Sequence, residues 1–161
     1  MIHEISLETK NQTELIDITN KINSLITKSK IESGTCLIFV PHTTAGLTIN
    51  ENADASVKSD IIKELNKVIP FNDDYKHAEG NSAAHIKSVL CGVDLNVIIK
   101  NSQLALGTWQ GVYFCEFDGP RSRKIIIKLE GTRRQQIDRS RSQSVGILVH
   151  THLRSHVPCG Q

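Results

Sequence analysis

Apolar and polar residues alternate through residues 2–8, the period of a strand with one buried face. Asn11 and Glu14 stand three apart, the spacing of a capping box with Asn in the capping place. Leu15, Ile18, Ile22, Leu25 and Ile26 then recur at helical intervals, which predicts a helix running to about Ser29. Residues 35–40 form a largely apolar run opened by Gly34, predicted to be a strand buried on both faces. Residues 41–46 make a turn, and 47–50 a short return strand.

Asn52 or Asp54 is placed to cap a second helix with Val57, Ile61, Leu65 and Val68 along one face, stopped by Pro70. Residues 71–81 are polar and irregular, so that loop needs support from outside itself. Ser82 reads as the N-cap of a short helix over 83–91, ended by Gly92. In that helix His85 shares a face with Val89, which predicts that it points towards the body. Strands follow at 94–100, 103–106 and 108–117. Asp118-Gly119-Pro120 is a turn, and residues 123–130 alternate as the last strand. The order predicts an α+β fold, a mostly antiparallel sheet or sandwich with its helices grouped in the first two-thirds.

Beyond Gly131 the periodicity ends. Residues 132–161 are predicted to be a basic tail, disordered or non-native, appended to a domain at 1–131. The net charge is +2, yet the stretch from Gly131 to the end holds five arginines against Asp138 alone, which leaves the body mildly acidic. That body lacks the basic, aromatic-interleaved face of a nucleic-acid binder. No apolar stretch is long enough for a membrane span, and no secretion signal is evident at the start, so the expected compartment is the cytoplasm. Cys36, Cys91, Cys115 and Cys159 show no metal-finger spacing, and Cys36 and Cys115 read as small buried hydrophobes. The tail's His150, His152, His156 and Cys159 are close enough to bind metal adventitiously and carry no assigned role.

Three blocks carry candidate chemistry. His42 ends the apolar run and is followed by the hydroxyls of Thr43 and Thr44, with Asn50 and Glu51 at the far end of the return strand. His77 and His85 flank a Gly-Asn-Ser turn opening a helix, with Glu79 between them. Imidazole suits both proton transfer at neutral pH and metal ligation, and the exposed N–H groups at a helix start favour an anion. Glu79 suits a proton handler. In the third block Trp109 is either a packing anchor or a flat wall for a ring, and Arg121 with Arg123 beside a tight turn suits phosphate.

The stretches His-Thr-Thr-Ala-Gly-Leu-Thr-Ile-Asn-Glu-Asn from residue 42, His-Ala-Glu-Gly-Asn-Ser-Ala-Ala-His-Ile-Lys-Ser from 77 and Leu-Gly-Thr-Trp-Gln-Gly-Val-Tyr-Phe-Cys-Glu-Phe-Asp-Gly-Pro-Arg from 106 resemble the YjbQ family, also called secondary thiamine-phosphate synthases. The resemblance runs from about residue 2 to Gly131. It implies a compact α+β subunit, a homotrimer, and a site between subunits lined by three histidines that match His42, His77 and His85. The activity it implies joins a hydroxymethylpyrimidine pyrophosphate to a thiazole phosphate and releases pyrophosphate, as a side reaction. On that reading His42, His77 and His85 hold a divalent ion such as Zn or Mg. Glu79, Asn50 and Glu51 are catalytic or supporting groups, and Arg121, Trp109, Thr43 and Thr44 bind a small phosphorylated substrate. A metal-dependent hydrolase and a non-catalytic metal- or ligand-binding protein are the alternatives.

Overall fold

Two antiparallel sheets face one another in the computed structural model, which describes residues 1–133. The chain runs β1 (Ile2–Glu8), β2 (Glu14–Asp17), α1 (Thr19–Ser29), β3 (Ile31–Phe39), β4 (Ala45–Glu51), α2 (Ala55–Val68), α3 (Ser82–Cys91), β5 (Asp94–Lys100), β6 (Gln103–Leu104), β7 (Gln110–Glu116) and β8 (Ser122–Arg133). The larger sheet has the order β1-β8-β3-β5-β6 and the smaller one β2-β7-β4. The expected α+β class, with antiparallel strands and helices packed on them, is what forms.

The core lies between the sheets. Cys36, Ile38, Val97, Ile99, Ile125, Ile127 and Leu129 project from the larger sheet onto Leu47, Val112 and Phe114 of the smaller one, and Ile22 and Ile26 of α1 complete the same cluster. A second cluster covers the other face of the smaller sheet, where Leu15, Tyr113, Cys115 and Phe117 meet Ala84 of α3 and the half-buried Ile61, Ile62 and Leu65 of α2. β7 therefore runs between two cores, and every residue from Gly111 to Glu116 is buried.

This corrects the reading of residues 35–40. Cys36, Ile38 and Val40 are buried, but Leu37 and Phe39 are exposed, because no element of the described chain covers the outer face of the larger sheet. Length and apolar content alone do not say which strand is the doubly buried one. Residues 14–17 correct the first helix. They pair with β7, Leu15 opposite Cys115, and α1 starts only at Thr19. Glu14 does reach back, accepting from the N–H groups of Lys10 and Asn11, but the turn it closes leads into a strand. Asp17 serves the true start of α1 by accepting from Thr19 N–H at 2.8 Å.

Asp54 caps α2 as expected, its carboxylate accepting from Ser56 N–H. The apolar face of α2 is shallow, however: Val68 is exposed and no residue of the helix is fully buried. For α3 the N-cap is Asn81, not Ser82. The last strand runs to Arg133, past its expected end at Glu130, with Thr132 opposite Ser33. The remaining tail lies outside the described residues.

The C-terminal turn of α3 is fastened to the edge of β4. Ser88 Oγ donates to Ala45 O at 2.6 Å, and Leu47 N–H donates to Gly92 O at 2.9 Å. Gly46 allows this approach, because a Cβ there would lie 2.7 Å from Gly92 O and 3.0 Å from Cys91 Cβ. Gly46→Ala should push the turn off the sheet and lower stability by about 1–3 kcal/mol, the usual range for overpacking. Urea unfolding would measure it, and a midpoint equal to wild type would show that the turn yields freely.

Candidate functional site

His42 follows β3, on the connection that turns the chain into β4. Its ring is half-buried, and Nε2 accepts a hydrogen bond from the backbone N–H of Lys124 on β8 at 2.9 Å. Burial and the nearby Arg123 cation hold its pKa below the ordinary histidine value, against the opposing pull of Glu116. Thr43 is exposed. Thr44 is buried, and its hydroxyl accepts from Arg123 Nη2 at 2.9 Å while its carbonyl accepts from Phe117 N–H.

Arg123 is thus not a strand-end charge free for phosphate. It is buried and paired with the fully buried Glu116, donating from Nε at 2.7 Å and from Nη2 at 2.5 Å. Thr9 Oγ1 and the N–H groups of Phe117 and Asp118 also donate to that carboxylate. Burial would raise the Glu116 pKa, but the Arg123 bonds and the others outweigh it and hold the carboxyl low. Charge-assisted bonds of this kind resist loosening, so the 41–46 connection is pinned to β7 and β8.

α3 carries His85, and the 70–81 connection before it carries His77. The two rings stand edge to face with centroids 5.4 Å apart. The expectation that His85 points into the body with Val89 is corrected: Val89 is 80 % exposed, and His85 lies half-buried along the wall of two cavities. One cavity, of about 370 Å³, is lined by Tyr75, His77, Ser82, His85 and Ile86. The other, of about 450 Å³, is lined by His42, Thr43, His85, Ser88, Val89, Gly92 and Val93. His85 is common to both, standing between the cavity that His77 borders and the one that His42 borders.

The support that the 71–81 stretch needs is visible. Tyr75 OH donates to Pro70 O at 2.8 Å. Lys87, fully buried on α3, sets its ammonium 3.7 Å from the centre of the Phe71 ring and donates to Asn66 Oδ1 at 2.6 Å. Burial lowers the Lys87 pKa to about 8. The folded protein therefore binds this proton more weakly than the unfolded chain, whose lysine titrates near 10.5. By linkage, stability should rise as pH increases from about 8 towards 10.5. Lys87→Met should flatten that rise in unfolding experiments; an unchanged slope would count against the buried charge.

Glu79 is exposed, its carboxylate 3.8 Å from His77 Nε2. Arg121 is bound to Asp118, through Nη2 to the carboxylate and through Nε to the carbonyl, both at 2.7 Å, with about half of its side chain still exposed. Asp118 also accepts from Asn81 Nδ2, which ties the Asp118–Arg121 corner to the start of α3.

Asn50, Glu51 and Trp109 are elsewhere. Asn50 pairs with Gly111 and Glu51 with Gln110, at the end of β4 away from His42. A seven-residue strand sets those ends about 20 Å apart. Trp109 is no packing anchor: it is 64 % exposed, and its carbonyl accepts from Asn52 N–H. Among the described residues of one chain, no three His, Cys, Asp or Glu side chains are grouped closely enough to hold a metal ion.

Glu116, Lys87 and Tyr75 are the supporting residues that sequence reasoning missed. Glu116 gave one signal, a lone acid in the most apolar run of the chain, where a buried carboxylate demands a cation.

Two facing antiparallel sheets with a histidine-lined cleft between α3 and the β3–β4 connection define the class. The chain belongs to the UPF0047 protein YjbQ-like family, whose model matches residues 3–132. It is 52 % identical over 133 residues to a UPF0047 protein of Methanocaldococcus jannaschii, covering 83 % of this chain and 96 % of that one. It is 48 % identical over 132 residues to the UPF0047 protein YugU of Bacillus subtilis, covering 81 % and 100 %. The crystal structure of an uncharacterized YjbQ/UPF0047 protein from Clostridium acetobutylicum superposes with a TM-score of 0.78 at 53 % identity, over 80 % of this chain and 99 % of the other. A YbjQ-like protein of unknown function from Sulfolobus solfataricus gives 0.78 at 32 % identity, over 82 % and 97 %. No described helix is long and apolar enough to cross a membrane.

Proposed function

We propose that the protein is an enzyme of small phosphorylated molecules, with thiamine-phosphate synthase-type transfer as a weak activity, and that its site lies in the His42–His85–His77 region. The observation that carries this reading is His85 standing in the wall of both cavities, with His77 bordering one and His42 the other. Half of Arg121 is open to a phosphate, and Glu79 beside His77 suits proton handling. Three of the ten predicted site residues, Asn50, Glu51 and Trp109, lie at the opposite end of β4. Assembly as a homotrimer would bring that end of one copy to the histidines of the next. Apolar side chains left open on α3 (Val89, Leu90) and on the larger sheet (Phe39, Ile98) suit such contacts. A divalent ion would then draw its ligands from more than one copy, since a single chain groups too few.

The test is thiamine phosphate formation from hydroxymethylpyrimidine pyrophosphate and thiazole phosphate, with light scattering for the assembly. We expect a slow rate that falls about 100-fold in His85→Ala, the upper scale for a weakened metal site. A rate equal in wild type, His42→Ala, His77→Ala and His85→Ala would remove the assignment. A monomeric mass would remove the shared site.

A further inference from the structure

Gly46 and Cys115 are directly opposite one another on β4 and β7, so their Cα–Cβ directions lie on one face of the smaller sheet. Gly46 leaves its half of that face vacant. The vacancy is taken by Cys91 of α3, whose Cβ lies 3.0 Å from where a Gly46 Cβ would stand. Cys91 packs against the apolar cluster that contains Cys115. Opposed Cβ atoms in a sheet are separated by about 4.5–5.5 Å, and a disulfide needs about 3.5–4.5 Å. The glycine thus lets a helix cysteine settle beside a strand cysteine on one face of the sheet.

We propose that Cys91 and Cys115 form a thiol–disulfide modification site, oxidised by low-molecular-weight disulfides, that locks the C-terminal turn of α3 to β7. The two thiols are unequal. Cys91 is half-buried, and the Cys115 contact holds its pKa below the ordinary thiol value. Cys115 is buried, and its partner and its surroundings push its pKa well up. Cys91 is therefore the attacking thiolate and Cys115 the resolving thiol.

The Cys91 thiolate attacks one sulfur of the small disulfide, forming a mixed disulfide and releasing one small thiolate. Cys115 Sγ then attacks Cys91 Sγ, the second small thiol departs, and the Cys115 proton ends on that leaving group. Two protein thiols are oxidised by two electrons, and one small disulfide is reduced to two thiols. The lock would act six residues from His85, on the helix that lines both cavities. Cys36 is not a competitor, because burial pushes its thiol up to about 12. Cys159 lies outside the described residues, and Cys159→Ser removes it from the experiment.

Full-length Cys159→Ser protein would be incubated with oxidised glutathione, quenched with an alkylating agent and digested without reductant for mass spectrometry. We expect a Cys91–Cys115 linked peptide, lost on adding dithiothreitol. Cys115→Ala should instead accumulate a lasting glutathione adduct on Cys91, at least tenfold above its level in the parent. Cys91→Ser should show neither. Full alkylation of both thiols after oxidant, or a Cys91 adduct equally persistent in the parent, would overturn the proposal. The parent's linked peptide decides the question even if Cys115→Ala folds poorly.

Discussion

Replacing Glu116 with glutamine should lower the stability of the protein by about 3–5 kcal/mol, the cost of leaving a buried guanidinium without its counter-charge. Arg123 makes two bonds to that carboxylate and is almost wholly buried, so water cannot take the place of the lost anion. The loss should be visible as a lower urea midpoint, and a loss under about 1 kcal/mol would show that the pair is neutralised by other means. Replacing both partners by apolar residues, Glu116→Leu with Arg123→Met, should recover part of it, because no charge is then stranded. Acid supplies a second signature. The folded carboxyl titrates below the 4.5 of a free glutamate. Its contribution is therefore complete above about pH 4.5 and is lost as pH falls through the lower, folded value. In Glu116→Gln that part of the acid slope should vanish. The consequence reaches the site as well, because Arg123 Nη2 also holds the hydroxyl of Thr44 beside His42. His42 amide exchange should quicken in the variant.

The second large effect is expected at a pair of glycines. Gly34 of β3 lies opposite Gly131 of β8, and a Cβ on Gly34 would stand 2.0 Å from Glu130 O and 2.6 Å from Gly131 Cα. A Cβ on Gly131 would meet Ser33 O at 2.1 Å. The obstacles are backbone atoms of the neighbouring strand and have no rotamer to escape into. Gly34→Ala or Gly131→Ala should therefore cost at least about 3 kcal/mol, the upper end for overpacking. At the usual entropy of unfolding for a chain of this size, the melting temperature should fall by about 10 °C. An unchanged melting temperature in both variants would show that the two strands separate easily at that point.

The strand and helix periods made most of the fold legible. The alternation at residues 2–8 and 123–130 gave two strands that are neighbours in the larger sheet. Residues 14–17 were illegible because Leu15 falls in step with Ile18, Ile22 and Ile26 while belonging to a strand. Only the presence of β7 beside it decides the matter, and that is information from about a hundred residues away. The same distance explains Arg123. Next to a turn it reads as exposed, and its burial follows from Glu116 and Thr44 closing over it. The histidine region was legible through its motifs, while its supports were not. Lys87 looks like any helical lysine until Phe71 and Asn66 are seen to enclose its ammonium. That Asn50 and Glu51 lie far from His42 within one chain was readable from the return strand, whereas nothing local placed Trp109 at that same end.

The hydrogen bond from Lys124 N–H to His42 Nε2 fixes more than the orientation of a ring. A nitrogen that accepts a proton donor cannot carry the proton itself, so the neutral imidazole must be the tautomer with its hydrogen on Nδ1. A strand backbone has thereby chosen the chemical form of a side chain 82 residues away in sequence. In that form the ring's remaining nitrogen is a donor, which suits the phosphorylated substrate proposed above. A cation seeking Nε2 would first have to displace the amide of Lys124. The donor and acceptor sides of the His42 ring are thus decided by β8.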